Sequence, residues 1–304
     1  MTKRAATIAL MGGMFALVLT VVAATPASAQ LAFLSHTGSG ASCTQSAPCA
    51  VMNTAINVAG ANGEVICLDK GTYDGGTITQ PVTISCGDGW WEVSCLGGVT
   101  INTPAGSDVV IEGLVMDQLT CGSAISMNGQ GALHLRRVRV GHTGGGSHGL
   151  DFAPNGLAML HITDSVFYNN GGAGVYVKPT SGVQANVYIN RTHFEKNGFG
   201  ITADGSGGGA IGGVVRDSVV SGNANTGITT FSGGTSITLV VQNSTIAGNN
   251  FGLAASGPNA GILVTRSAIN YNGTGVFGPV YSYGDNSLNG NGADGTFAAT
   301  IGLR

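Results

Sequence analysis

Charged side chains are scarce: Asp, Glu, Lys and Arg together make up 9% of the 304 residues. No basic stripe runs through the chain. A nucleic-acid partner, which needs clustered Lys and Arg to meet its phosphates, is therefore not expected. The six cysteines include no CxxC spacing, which weighs against a thiolate metal site. Beyond residue 29 no apolar run approaches the roughly 20 residues that span a bilayer. Nor is any stretch between the short apolar runs long enough for a crossover helix. Low charge and 52 glycines would suit a disordered chain, but the order in the rest of the sequence argues against it.

That order is repetition. Asp164-Ser165-Val166-Phe167, Arg191-Thr192-His193-Phe194, Asp217-Ser218-Val219-Val220, Asn243-Ser244-Thr245-Ile246 and Arg266-Ser267-Ala268-Ile269 form one column, stepping 27, 26, 26 and 23 residues. Asn170, Asn197, Asn223, Asn249 and Asn272 form a second with the same steps. A glycine precedes each following apolar run, at Gly149, Gly174, Gly200, Gly227, Gly252 and Gly275. A fixed period of this size signals stacked repeats. Each repeat holds short alternating runs such as Leu160-His161-Ile162 and Val175-Tyr176-Val177, which is the strand signal. Strands recurring in one direction, once per coil, wind into a parallel β-helix.

In such a solenoid equivalent residues lie about 4.8 Å apart. Val140, Phe167, Phe194, Val220, Ile246 and Ile269 then form an inward apolar stack, with Ser165, Thr192, Ser218, Ser244 and Ser267 as a hydroxyl stack beside it. The asparagine column falls at a turn, where stacked amides bond to each other and to turn backbone. Its uniformity favours a structural ladder over a ligand site, since sites are local. Ala50 to Ala59 is the one helical candidate, with Val51, Met52, Ala55, Ile56 and Ala59 on one face. It is placed to plug the open end of the solenoid and cover its edge strands.

The coils resemble those of right-handed parallel β-helix repeat proteins, the pectin-lyase-like fold, whose usual turn carries an asparagine ladder. The opening stretch, with Cys43, Pro48-Cys49, Gly63-Glu64-Val65-Ile66-Cys67-Leu68-Asp69, Thr77-Ile78-Thr79 and Val82-Thr83-Ile84, resembles a group of secreted bacterial β-helix proteins of unassigned activity. The likeness spans roughly residues 32 to 292. It implies an all-β, right-handed parallel β-helix of about nine coils with a short N-terminal capping helix, and says little about chemistry. The fold's known catalytic signatures are missing. There are no adjacent aspartates with an Asn-Thr-Asp run and no calcium aspartates with Arg-x-Pro-x-x-Arg. Gly71-Thr72-Tyr73-Asp74 lacks the companion motifs of a pectin esterase. Ser147-His148-Gly149 is a faint echo of a histidine motif, and His148 reads as a loop residue.

Residues 1–29 read as a secretory leader: Lys3 and Arg4, an apolar core from Ala9 to Ala24, and Ala27-Ser28-Ala29 before the cut. Removing it takes two of twelve basic residues and none of fifteen acidic ones, so the mature balance is 10 − 15 = −5. Residues 30–62 form an N-terminal segment with the helix, and 63–304 the β-helix. Export permits disulfides. Cys43 and Cys49 bracket a short loop, Cys67 and Cys86 are 19 apart, and Cys95 and Cys121 are 26 apart, one full coil.

Alternation separates outward residues from inward ones. Arg137, Asp164, Arg191, Asp217, Asn243 and Arg266 head the rows, reading either as a salt-bridge ladder or as a charged strip that grips a polymer. The alternating signs favour the ladder. His134 and His161 lie one coil apart, outward if the chain bends near Thr163. Arg136, Arg139 and His193 fall on the same face by the same bookkeeping. Imidazoles beside guanidiniums suit a general base and a carboxylate clamp. A second face carries Asp151, Tyr176, Lys178 and Asp204, two carboxylates with the makings of a glycosidic acid/base pair. Two functions follow: a non-catalytic exported protein that binds extracellular or cell-envelope polysaccharide, or a divergent lyase or hydrolase acting on an anionic polysaccharide. No metal and no cofactor is implied, and the oligomeric state is open.

Overall fold

A computed structural model of the protein describes residues 29–87, 90–91, 98–117 and 122–302. The predicted leader, but for its last residue, and the predicted pair Cys95 and Cys121 lie outside the described residues. The described chain is a parallel β-solenoid of three sheets. Sheet one has 12 strands, from Leu31–Leu34 to Ala299–Thr300. Sheet two has 9, from Trp90–Trp91 to Ser287–Asn289, and sheet three has 9, from Gly76–Ile78 to Thr274–Phe277. The 21 strands from Asp108–Glu112 to Thr274–Phe277, three per coil, make about seven full coils. The expected nine assumed a constant period. The coils shorten at both ends, to 19 residues between Cys67 and Cys86 and again between Asn272 and Asn291.

Two single-residue bends turn each coil. Between sheets one and two stand Arg137, Asp164, Arg191, Asp217, Asn243 and Arg266, with φ between 45° and 54°. The bend expected near Thr163 is thus Asp164 itself. A left-handed residue is costly for any side chain except Gly, Asn and Asp, so the arginines hold this conformation against their own preference. The side chains compensate by pairing along the axis. Arg191 grips Asp164 with two bonds of 2.7 and 2.9 Å, Arg137 contacts Glu112, and Asn243 Nδ2 donates to Asp217 at 2.5 Å. The charged column is a register ladder.

The second bend, between sheets two and three, is followed by the asparagine ladder. The backbone N–H and Nδ2 of Asn170 both donate to Asn197 Oδ1 (3.1 and 2.8 Å), and Asn197 does the same to Asn223 (3.0 and 3.1 Å). The pattern repeats to Asn249 and Asn272. It then runs one rung further than the repeat suggests, to Asn291, whose Nδ2 donates to Asp294 Oδ1 at 2.8 Å. Thr143 starts the ladder, donating to Asn170 Oδ1 at 3.1 Å. A hydroxyl ladder follows the first bend: Thr192 N–H donates to Ser218 Oγ, Ser218 N–H to Ser244 Oγ and Ser244 N–H to Ser267 Oγ, at 3.1 to 3.2 Å. These bonds satisfy turn donors that lie inside the coil, where water cannot reach them.

The apolar stack fills the remaining space. Val140, Phe167, Phe194, Val220, Ile246 and Ile269 are each fully buried, and the two phenylalanine rings stack at 5.4 Å. The glycine column faces this stack. A Cβ on Gly174 would sit 2.9 Å from the carbonyl oxygen of Gly200 and from the Phe194 ring.

The helix runs Met52–Ala59 and closes the N-terminal end over strands Leu31–Leu34, Gly63–Cys67 and Gly76–Ile78. Met52, Ala55, Ile56 and Ala59 are buried. Val51, expected on the same face, is instead the N-cap residue and 45% exposed, because helical geometry begins one residue later. Gly60, at φ 69°, ends the helix. Cys43–Cys49 and Cys67–Cys86 are bridged, with Cα separations of 4.7 and 4.5 Å. The second bridge joins residues that follow register partners in adjacent strands of sheet one.

Candidate functional site

The outward face of sheet one carries two columns. The first runs Val110, His134, His161, Tyr188, Val214, Val240, Leu263 and Tyr281, each residue opposite the next in the neighbouring strand. The second, two residues further along each strand, runs Glu112, Arg136, Thr163, Asn190, Arg216, Gln242 and Thr265. His134 and His161 stack with centroids 4.6 Å apart and planes 7° from parallel, and Tyr188 continues the stack at 5.0 Å and 16°. The inter-strand step explains this: rings standing off a sheet in one column meet face to face.

Burial, and then the nearby charges of His161 and Arg136, pull the His134 imidazole below its ordinary value, with Asp108 working against them. Burial and then Arg136 do the same to His161. Both rings are therefore neutral near pH 7.

His134, His161 and Arg136 thus gather on sheet one. Arg139 and His193 do not join them. They belong to sheet two, in one column with Val166 between them. The left-handed bend at Arg137, Asp164 and Arg191 lies between the two groups. Arg139 instead places its guanidinium 5.0 Å from the centre of the Tyr168 ring. Alternation along the sequence cannot carry across that bend, since one left-handed residue resets which side is out.

The second predicted face is assembled on sheet three. Asp151 and Tyr176 are register partners. Tyr176 Oη donates to Asp204 Oδ2 at 2.6 Å, Lys178 Nζ lies 3.1 Å from the same oxygen, and Ser206 N–H donates to Asp204 Oδ1 at 2.8 Å. Burial works against the Asp204 carboxylate, but the bonds from Ser206, Tyr176 and Lys178 outweigh it and hold it at about 2. Burial pushes Asp151 up, with His148 and Lys178 pulling the other way.

His148 lies in the loop before strand Leu150–Phe152, as the sequence reading expected, and joins this face. It stacks on Tyr176 at 4.4 Å, and its Nδ1 accepts the Ala173 N–H at 2.9 Å. Its remaining proton is therefore on Nε2. Burial lowers its affinity for a second one, and Asp151 partly offsets this. One carboxyl raised and one depressed is the pattern of a proton donor beside an ionised partner. Asp204, however, already accepts from three groups.

Beside the ring stack on sheet one lies an open groove of about 500 Å³, lined by His161, Tyr188, Asn190, Val214, Arg216 and Gln242 among others. A second groove of about 490 Å³ adjoins it through Gln242 and extends past Val240 and Thr265 to Tyr283 and Ile301. Tyr188 is 44% exposed and closes the ring stack, because the next residue in its column, Val214, is too short to continue it. Arg216 makes no ion pair among the described residues. Sequence reading missed Tyr188, Asn190, Arg216, Gln242 and Tyr283. Extending the column from His134 and His161 by one more period finds Tyr188. Among the described residues no helix is long and apolar enough to cross a membrane.

No curated protein and no solved structure matches the chain. A family profile described as "Right handed beta helix region" matches residues 123–293, more than half of the 304. The three-sheet winding, the ladder and this match agree, and the chain belongs to the right-handed β-helix region family.

Proposed function

We propose that the protein is exported and binds an extracellular or cell-envelope polysaccharide along the outward face of sheet one. The observation that carries this reading is the groove that runs past the exposed ring of Tyr188. Sugar rings present C–H faces to aromatic rings and hydroxyls to planar polar side chains. The groove offers both, with the rings of His161 and Tyr188, the aliphatic Val214 and Val240, and Thr163, Asn190, Arg216 and Gln242 along one bank. The two disulfides of the N-terminal coils are consistent with an oxidising compartment.

The test is a binding screen of the secreted protein against soluble polysaccharides, repeated with Tyr188→Ala and Arg216→Ala. Both residues are exposed, so the melting temperature is expected to stay close to wild type while binding falls at least tenfold. Unchanged binding by both variants would remove sheet one as the site. Where the bound polymer is anionic, binding should tighten on acidification, as His134 and His161 charge. Since both are pulled below the usual histidine value of about 6.5, the gain should come below that pH.

A second reading, a lyase or hydrolase acting on an anionic polysaccharide, is favoured by the opposed displacement of Asp151 and Asp204 on sheet three. Release of reducing ends or unsaturated products that Asp151→Asn abolishes would support it. Their absence with every polysaccharide that binds would dismiss it.

A further inference from the structure

We infer that sheet three carries a second glycan site, where a hydroxyl of an uncharged sugar bridges the Asp151 carboxylate and the Nε2–H of His148. This rests on the reading of the protein as a polysaccharide binder, but not on the sheet-one groove. Three observations carry it.

The first is which groups of the cluster are engaged and which are not. Tyr176 Oη, Lys178 Nζ and the Ser206 N–H all turn to Asp204. The backbone N–H of His148 donates to Ser123 Oγ at 3.2 Å, and its Nδ1 accepts from Ala173. Both rings are thereby held in place. Asp151 makes no hydrogen bond among the described residues, and neither does His148 Nε2–H. One of these groups accepts and the other donates. Each feels the other's charge, yet they form no ion pair. A hydroxyl both donates and accepts, so a single one satisfies both.

The second is the position of Asp151 in its column. Ser126, Asp151, Tyr176 and Thr202 are successive register partners, and the other three are uncharged. Burial raises the Asp151 carboxyl in spite of His148 and Lys178. A half-buried carboxylate without a partner loses hydration and regains nothing inside the protein. It destabilises the coil that carries it, which is the mark of a group kept for a ligand.

The third is the charge of the face. Asp151 and Asp204 outnumber Lys178, and a neutral His148 adds nothing to the balance. Such a face repels carboxylates and sulfates and suits a sugar without charge. Ser126, beside Asp151, adds a further hydroxyl for the neighbouring position of the same sugar. Sheet three is a different side of the solenoid from sheet one, so this site is separate from the groove.

The experiment is titration calorimetry of the full secreted chain. The uncharged probes are dextran, galactomannan and hydroxyethyl cellulose, and the charged one is polygalacturonate. Tyr188→Ala combined with Arg216→Ala removes the sheet-one contacts. That double variant should still bind at least one uncharged probe. Adding Asp151→Asn should weaken this remaining binding about tenfold or more, the loss of a hydrogen bond to a charged group. The melting temperature at pH 7 should stay level or rise. His148→Gln, which keeps an N–H donor near the place of Nε2, should bind more tightly than His148→Ala. A double variant that binds no uncharged probe, or that prefers polygalacturonate, would overturn the inference and leave the sheet-one reading intact. So would unchanged binding after Asp151→Asn, or a clear drop in its melting temperature, which would make the carboxylate structural. If the wild type binds none of the four probes, the polysaccharide reading fails and this inference with it.

Discussion

Asn223 sits in the middle of the buried ladder, and its replacement measures what the ladder is worth. Its Oδ1 accepts the backbone N–H of Asn197 at 3.0 Å and Asn197 Nδ2 at 3.1 Å. Its Nδ2 donates to Asn249 Oδ1 at 2.9 Å and to the carbonyl of Phe194 at 3.2 Å. Asn223→Ala leaves two buried donors without a partner, the Asn197 N–H and one proton of Asn197 Nδ2, while the Phe194 carbonyl keeps its place in the parallel ladder. Asn249 Oδ1 keeps the Asn223 N–H at 3.0 Å. At about 1–3 kcal/mol per stranded group the loss lies between about 2 and 6 kcal/mol, and partial entry of water favours the lower end, about 3. Asn291→Ala removes the same two acceptances from Asn272, each 2.9 Å, but at the half-exposed end of the ladder. There water substitutes, and about 1–2 kcal/mol is expected. Urea denaturation of the two variants and the wild type reads the difference.

Asn223→Asp sharpens the test. A carboxylate keeps both acceptor positions but faces Asn249 Oδ1 and Phe194 O with nothing to donate. The folded state therefore raises its pKa above the unfolded value of about 3.9. A raised folded pKa means that the protonated form suits the fold. The variant should come closest to wild type at about pH 4 and lose ground as pH rises to 7. The reasoning fails if Asn223→Ala is no worse than Asn291→Ala, or if Asn223→Asp is more stable at pH 7 than at pH 4, each judged relative to wild type.

Three further outcomes are expected. Phe194→Ala should cost about 3–5 kcal/mol, since the ring is fully buried and stacked on Phe167; an unchanged unfolding midpoint would contradict the packing. Thr230 is fully buried with no partner for its hydroxyl, so the isosteric Thr230→Val should raise stability by about 1 kcal/mol, and a lower melting temperature would mean the hydroxyl is satisfied. Arg191→Ala should change stability little, while Arg191→Asp places three acidic side chains in one row with Asp164 and Asp217 and should lower the melting temperature more at low salt, the gap between the two closing in 1 M salt as charges are screened. The left-handed backbone at Arg191 suits Asp better than Arg, so a gap that persists at high salt would show that charge is not the cause.

The repeat was legible because each coil solves the same local problem with the same residue types. Phe167, Phe194, Val220 and Ile246 recur inward because the interior is apolar at that position in every coil. Asn170 to Asn272 recur because a turn donor inside the coil needs an amide acceptor from the next one. Cys43–Cys49 and Cys67–Cys86 were legible from spacing, since short separations permit few geometries. The termination of the ladder at Asp294 was not, since it breaks the repeat and leaves no column to read.

The sequence by itself determined what stacks along the axis, because one period separates vertical neighbours: His134 over His161 follows from counting. Only the tertiary structure decided what lies side by side. The left-handed residue at Asp164 and its equivalents sends Arg139 and His193 onto a different sheet from His134 and His161. The stacking of one coil on the next brings His148, in the loop before Leu150–Phe152, onto Tyr176. The groove, too, was decided by the fold, since its lining comes from four neighbouring strands, from His161 to Gln242. Periodicity carries the first kind of neighbour, and the backbone angle of one residue per bend carries the second.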